Sequence, residues 1–211
     1  FDVTYQTADG ALDHVWATSW GVSTRLVGAV IMTHSDDRGL VVPPAIAPTE
    51  VVVVPIFKNK TRSTVLEYAE RVYSSLEGRR VVFDRDEQNS PGWRFAEWEM
   101  RGVPIRVEIG PRDVEQEQVV LVRRDTGEKL PTPVAGVRRL VDELLPEIQQ
   151  SLYDRAKSNR EEHTQSISEL DDLVGFFEGE GGFAVSPWCG GAQCETTVKD
   201  RTKATIRVLN N

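Results

Sequence analysis

Cys189 and Cys194 are the only thiols in this chain of 211 residues, and four residues separate them. Two thiolates are at most half of the four ligands that a structural zinc wants. Of the three histidines, His14, His34 and His163, only His163 lies near the pair in sequence, and nothing in the spacing brings it in. No zinc is therefore expected, and the two thiols should be free and buried, the usual state of unpaired cysteines. His34 has the side chain of a general base. It follows the apolar stretch Leu26–Met32 and reads as a structural or capping residue. Asp36 and Asp37 are adjacent, so their side chains point apart on most backbones, and they should be solvated rather than metal-binding. A denser set of chemical groups lies in the middle. Arg79–Arg139 holds 12 Lys and Arg against 11 Asp and Glu. Arginine's planar fork suits phosphates and base edges, although arginines mixed with carboxylates also form ordinary surface ion pairs. Within this stretch Pro91–Arg101 collects Trp93, Arg94, Phe95, Glu97, Trp98 and Arg101. Arg94, Glu97 and Arg101 are three and four positions apart, which puts them on one helix face. Phe95 and Trp98 read as core.

The elements that must position these groups follow from composition and periodicity. Apolar residues make up 39%, charged residues 27% and aromatics 8%, the balance of a globular protein. No apolar run approaches the roughly 20 residues of a membrane helix, and Phe1-Asp2-Val3-Thr4 begins no secretory signal. The chain does not begin with methionine and is expected to be a piece of a longer one. Two cysteines and no signal fit a reducing cytoplasm. The net charge of −8 argues against non-specific nucleic-acid binding, but the Arg-rich middle is close to neutral.

Three units are predicted. Residues 1–47 open with a strand at Phe1–Gln6, turn at Asp9-Gly10, and end in an extended linker at Pro43-Pro44 and Pro48. The second unit alternates strand and helix. Val51–Phe57 is a strand buried on both faces, and Thr61–Gly78 is an amphipathic helix capped at Gly78. Val81–Phe83 is a short strand, Arg94–Arg101 a helix, Val103–Ile109 a half-buried strand and Val119–Val122 another. That order means a layered α/β domain of about 90 residues. A helix from residue 134 to about 163 carries a continuous apolar stripe, and Pro146 should kink or split it. The last unit has glycines at 179, 181 and 182, the cysteines, and a strand at Ala204–Leu209.

One series of motifs is not generic. Thr18-Ser19-Trp20-Gly21-Val22-Ser23-Thr24-Arg25, followed by Met32-Thr33-His34-Ser35-Asp36-Asp37-Arg38-Gly39 and Pro43-Pro44, resembles the third signature motif of class II prolyl-tRNA synthetases. The nearer match is the archaeal/eukaryotic-type branch, which some bacteria carry. The resemblance runs in order through Pro91-Gly92-Trp93-Arg94-Phe95, Trp98-Glu99, Arg101-Gly102-Val103-Pro104, Arg123-Arg124-Asp125, Cys189, Cys194-Glu195 and Ala204-Thr205-Ile206-Arg207. It implies an α/β, overall α+β, organisation in three parts. Residues 1–47 would end an antiparallel class II catalytic domain. Residues 48–150 would be an anticodon-binding α/β domain with a mixed sheet. Residues 151–211 would be a linker helix and a truncated small α+β C-terminal domain.

The resemblance also implies a chemistry. Proline and ATP, the latter with Mg2+, would form prolyl-adenylate, and the prolyl group would pass to tRNA(Pro), in a cytoplasmic homodimer. Carboxylate and phosphate are both negative, so such a site supplies charge and alignment rather than a nucleophile. Arg25 occupies the family's third-motif arginine, a phosphate contact. Thr18, Ser19, Trp20, Gly21 and Ser23 would line the proline and adenylate pocket. Ala17 stands where several relatives carry a glutamine, so that side-chain contact to ATP is missing. Splayed anticodon bases are read by stacking and by edge hydrogen bonds, for which Arg94, Glu97 and Arg101 are the candidates. Arg123, Arg124 and Lys129 fit phosphate contacts. Cys189 and Cys194 match half of the family's zinc site. The alternatives are a free-standing tRNA-binding or regulatory module without catalysis, and a non-RNA interaction domain of the same fold.

Overall fold

Four successive valines and a proline, Val51–Pro55, form the central strand, and all five are buried. Side chains on a strand alternate between faces, so a run apolar at every position needs cover on both sides. The sheet supplies it. In the computed structural model, which describes residues 2–209, β3 (Val51–Pro55) lies between β4 (Val81–Phe83) and β5 (Ile105–Ile109), parallel to both. β6 (Gln118–Arg123) and β7 (Lys129–Pro133) continue the sheet antiparallel, in the order β4-β3-β5-β6-β7. The mixed sheet matches expectation. β7 was not foreseen, because Pro131 and Pro133 interrupt its pattern. It is an edge strand, where proline's missing donor costs least.

The main core lies on one face. Val51 and Val53 of β3, Ile105, Val107 and Ile109 of β5, and Val119 and Leu121 of β6 meet two helices there. One is α2 (Arg62–Ser75), which buries Val65, Tyr68, Ala69 and Val72. The other is α5 (Val137–Glu162), which buries Val137, Val141, Leu144, Leu145, Ile148 and Leu152. Pro146 does not split α5, which runs as one helix of 26 residues through position 150. The opposite face is covered in part by α3 (Pro91–Met100), over Val52, Val54 and Val103. Pro91 stands in the first turn and the hydroxyl of Ser90 caps the Trp93 N–H, which is why the helix starts there. A short helix, α4 (Pro111–Glu115), links β5 to β6.

β5 is not half-buried as its alternation suggests. Arg106 and Glu108 are both buried, joined Nε to Oε1 at 3.0 Å, with the guanidinium over the Phe95 ring. Nor is the proline-rich stretch at 43–48 a free linker. Pro43, Pro44 and Ala47 are buried, and Arg80 donates to the carbonyls of Pro44 and Ala47 at 2.7 and 2.8 Å.

The N-terminal unit is a hairpin of β1 (Thr4–Gln6) and β2 (Leu12–His14), then an irregular stretch, then α1 (Arg25–His34). The predicted strand's Phe1 lies outside the described residues. No residue of α1 is buried. Beyond α5, β8 (Thr164–Ser166) pairs in parallel with β9 (Phe183–Val185), and α6 (Leu170–Glu178) meets α7 (Ala192–Thr202). The expected strand at Ala204–Leu209 is absent; Lys203 ends α7 in a left-handed conformation and the chain continues without regular structure.

Candidate nucleic-acid interface

α3 has two faces with opposite chemistry. Arg94 points inward. It is 4% exposed, its Nε donates to Asp84 Oδ2 at 2.9 Å, and its other nitrogens donate to the carbonyls of Pro55 and Asp84. The Trp98 indole N–H donates to the same Asp84 oxygen at 2.8 Å. The sheet end is thereby bolted to α3, and all three Arg94 nitrogens are engaged inside the fold. Spacing alone puts Arg94 with Glu97 and Arg101, but only the latter two share the outer face. Arg101 Nη2 stands 2.7 Å from Glu97 Oε1, and the guanidinium sits 4.9 Å from the Trp98 ring centroid. Trp93, half exposed, stands one turn before Glu97.

Arg123 and Arg124 also differ from expectation. Arg123 is buried and makes a fork-to-fork pair with Asp125 at 3.0 and 2.9 Å, with Glu147 of α5 as a further partner. The bonds to Asp125, then to Glu147, raise its already high affinity for its proton. Arg124 is buried against Asp36, so Asp36 is not a free solvated carboxylate, and Arg124 holds it well below the usual carboxylate range. Arginines engaged on every side fix structure; they do not reach out to phosphates.

Lys129 stays outward, its Nζ 3.3 Å from Glu108 Oε2 and its side chain 61% exposed. It belongs to a sheet face beside α3, where the register sets Arg106, Val122 and Lys129 in one row and Glu108, Val120 and Pro131 in the next. Pro131 is exposed and Val120 partly so. This apron was hidden from sequence reasoning because it depends on β7. The alternation of Leu130 and Thr132 with the two prolines was the available signal.

Thr18, Ser19, Trp20, Gly21 and Ser23 form a continuous exposed stretch leading into Arg25, the first residue of α1. Trp16 and Trp20 are 103% and 93% exposed, and open space surrounds Gly21. The stretch encloses no pocket by itself. Among the described residues only the Ser23 hydroxyl of this set is engaged, accepting from the Arg25 N–H at 3.4 Å. The His34 carbonyl accepts from Arg155, its Nδ1 is buried without a partner among the described residues, and burial lowers its basicity.

Cys189 is exposed and Cys194 partly so, contrary to the expectation of burial. The thiols are neighbours. The Gly191 N–H and the Cys194 thiol favour the Cys189 thiolate, while donating to Cys189 holds Cys194 protonated. No third histidine, cysteine or carboxylate joins them among the described residues. No helix among the described residues is long and apolar enough to cross a membrane.

Comparison with known proteins places this geometry. The sequence is 49% identical over 99% of its length to the proline–tRNA ligase of Natranaerobius thermophilus, and 48% identical over 99% to that of Chlorobium limicola. The chain spans 44% of the length of each of these relatives. The crystal structure of prolyl-tRNA synthetase from Cryptosporidium parvum, complexed with L-proline and AMP, matches with a TM-score of 0.80 and 32% identity. The match covers 95% of this chain and 44% of that one. Residues 50–150 match the family described as the anticodon binding domain. Residues 50–150 are thus similar to that domain family, in a chain that is similar along its length to proline–tRNA ligases.

Proposed function

We propose that this chain is the C-terminal portion of a proline–tRNA ligase of the archaeal/eukaryotic-type branch, acting on L-proline, ATP with Mg2+, and tRNA(Pro). The observation that carries the reading is the extent of the likeness. It covers the anticodon-binding domain, and also the exposed Thr18–Arg25 stretch and the unit beyond α5. A stand-alone RNA-binding module has no use for that stretch. The division at 1–47, 48–150 and 151–211 belongs to this reading, with α5 bridging the second and third parts. So do the homodimer and the cytoplasmic setting.

In the reaction a proline carboxylate oxygen attacks the α-phosphorus of ATP, the new O–P bond forms, and pyrophosphate leaves with the electron pair of the broken P–O bond. The Arg25 guanidinium holds phosphate oxygens as their charge redistributes. Trp20 walls the apolar ring of proline, and the hydroxyls of Thr18, Ser19 and Ser23 bind its polar groups. Gly21, with no side chain, lets a ligand approach the backbone. Beside α3, Glu97 accepts from the N1–H and amino group of an anticodon guanine, Arg101 donates to O6 and N7, and Trp93 offers a stacking plane. Lys129 supplies a phosphate contact.

The test is proline-dependent exchange of pyrophosphate into ATP. The intact protein that carries this chain should catalyse it, and the 211 residues alone should not, because they hold only part of the site that aligns the reactants. Exchange by the isolated chain, or none by the intact protein, would overturn this division of labour. In the second case a tRNA-binding module without catalysis would take its place.

A further inference from the structure

The segment from Asp36 to Val42 joins the exposed N-terminal unit to the anticodon-binding domain, and it is clamped rather than merely connected. The Leu40 N–H donates to the Met100 carbonyl at 3.0 Å and the Val42 N–H to the Gly102 carbonyl at 3.3 Å, so the segment lies along the end of α3. The two backbones approach more closely than side chains permit. A β-carbon at Gly39, whose φ is +129°, would stand 2.5 Å from Met100 Cα. One at Gly102, with φ +72°, would stand 2.7 Å from Leu40 Cβ. Both glycines are required by this contact.

Arg124 closes the clamp. Its two terminal nitrogens donate to the two oxygens of Asp36 at 2.8 and 2.6 Å, one of them also to the Gly39 carbonyl at 3.2 Å, and its Nε donates to the Glu99 carbonyl at 3.0 Å. The side chain is 3% exposed. One guanidinium thus holds the turn just after α1 and the last turn of α3. A bidentate pair fixes angle as well as distance. Asp36 is partly in water, and an ion pair with one exposed partner adds little stability, so holding the parts together does not by itself account for it. What it does supply is a defined orientation between the helix that begins at Arg25 and the helix that carries Glu97 and Arg101.

We propose that Arg124 is a positioning residue of tRNA charging: by gripping Asp36 and Gly39 behind α1 and Glu99 at the end of α3, it makes the placement of Arg25 depend on what is bound along α3. This rests on the reading of those residues given under the proposed function. The anticodon surface and the nucleotide site are then coupled through one rigid element with a shared joint. Coupling of this kind is worth about 5–150-fold.

The experiment measures kcat and KM for charging by the intact protein, with cognate tRNA(Pro) and with a tRNA in which one anticodon guanine is replaced. Wild type, Asp36→Asn and Arg124→Lys are compared. Asp36 is 40% exposed, so Asp36→Asn disturbs folding least and decides alone if Arg124→Lys does not fold. In wild type the replaced base should lower kcat by about tenfold or more, in addition to raising KM. In both variants the ratio of kcat values should shrink to within about twofold, while the ratio of KM values persists. A merely structural joint would lower kcat for both tRNAs alike and leave their ratio unchanged. An unchanged ratio in Asp36→Asn, or no kcat ratio in wild type, overturns the proposal. Proline-dependent pyrophosphate exchange is measured alongside. Its absence in wild type overturns the functional reading itself, whereas its presence with an unchanged kcat ratio overturns the clamp alone.

Discussion

Residues 15–25 and residues 79–139 hold similar chemistry in opposite states. The first stretch has two tryptophans, four hydroxyl side chains and an arginine exposed in sequence order, with almost none of their hydrogen-bonding capacity used inside the chain. The second has arginines engaged inside the fold through every nitrogen. Arg94 is held by Asp84 and two carbonyls, Arg106 by Glu99 and Glu108, Arg123 by Asp125 and Glu147, and Arg124 by Asp36 and two carbonyls. The difference separates scaffold from site. A polar group satisfied inside the fold sets geometry, and a ligand must be sought where capacity is unspent. α3 contains both kinds within two turns, with Arg94 facing in and Arg101 facing out.

The largest effect should come from breaking the inward side. Arg94→Met leaves the Asp84 carboxylate buried without its cation, and removing one partner of a buried pair costs about 3–5 kcal/mol. Denaturant unfolding of the chain measures it. A loss below about 1 kcal/mol together with abolished tRNA binding would return Arg94 to the interface and dissolve the contrast.

The unspent side predicts the reverse pattern. Arg25→Ala in the intact protein should slow proline activation by about 10²–10³-fold, as for loss of one charge contact in a transition state. Its unfolding free energy should move by no more than about 0.5 kcal/mol, because Arg25 is exposed. An unchanged exchange rate would take Arg25 out of the site.

Much of the fold was legible because its signals are local. The valine run and the stripes of α2 and α5 each specify an element without distant partners. What was missed depends on pairing. β7 forms because β6 gives it a partner and an edge where Pro131 is tolerated. Arg106 and Glu108 are inside because each neutralises the other, which alternation cannot reveal. The same limit applied to the site. Helical spacing put Arg94 beside Glu97 and Arg101, but a guanidinium follows the strongest available carboxylate, and Asp84 lies beneath the helix. The buried thiols failed differently: the unit beyond α5 has little core to bury them in, with Leu173 its one buried apolar side chain among the described residues.

The outer face of α3 gives a smaller and more selective prediction. Glu97→Ala or Arg101→Ala should cost about 1–3 kcal/mol of discrimination at one anticodon guanine. Stability should change by less than about 1 kcal/mol, as for an exposed i,i+4 pair. Binding is measured with each guanine of the proline anticodon replaced in turn. Equal losses for native and replaced tRNAs would make the pair an ordinary charged surface.

Lys129 should give the smallest effect and the sharpest test of what kind of contact the apron makes. Its ammonium rests 3.3 Å from Glu108, but that carboxylate already binds Arg106, and most of the lysine is in water. A point charge so placed can approach a phosphate without giving up a strong internal bond, which Arg123 and Arg124 cannot. Phosphate contacts carry no sequence information and act through release of counterions. Lys129→Ala should therefore weaken native and anticodon-replaced tRNAs by the same factor, amounting to less than about 1 kcal/mol. It should also flatten the slope of log affinity against log salt by about 0.7–1. Binding titrations at several salt concentrations separate the outcomes. If the loss falls on one anticodon alone and the slope is unchanged, Lys129 reads a base, and the exposed sheet face beside α3 contributes to selectivity rather than to grip.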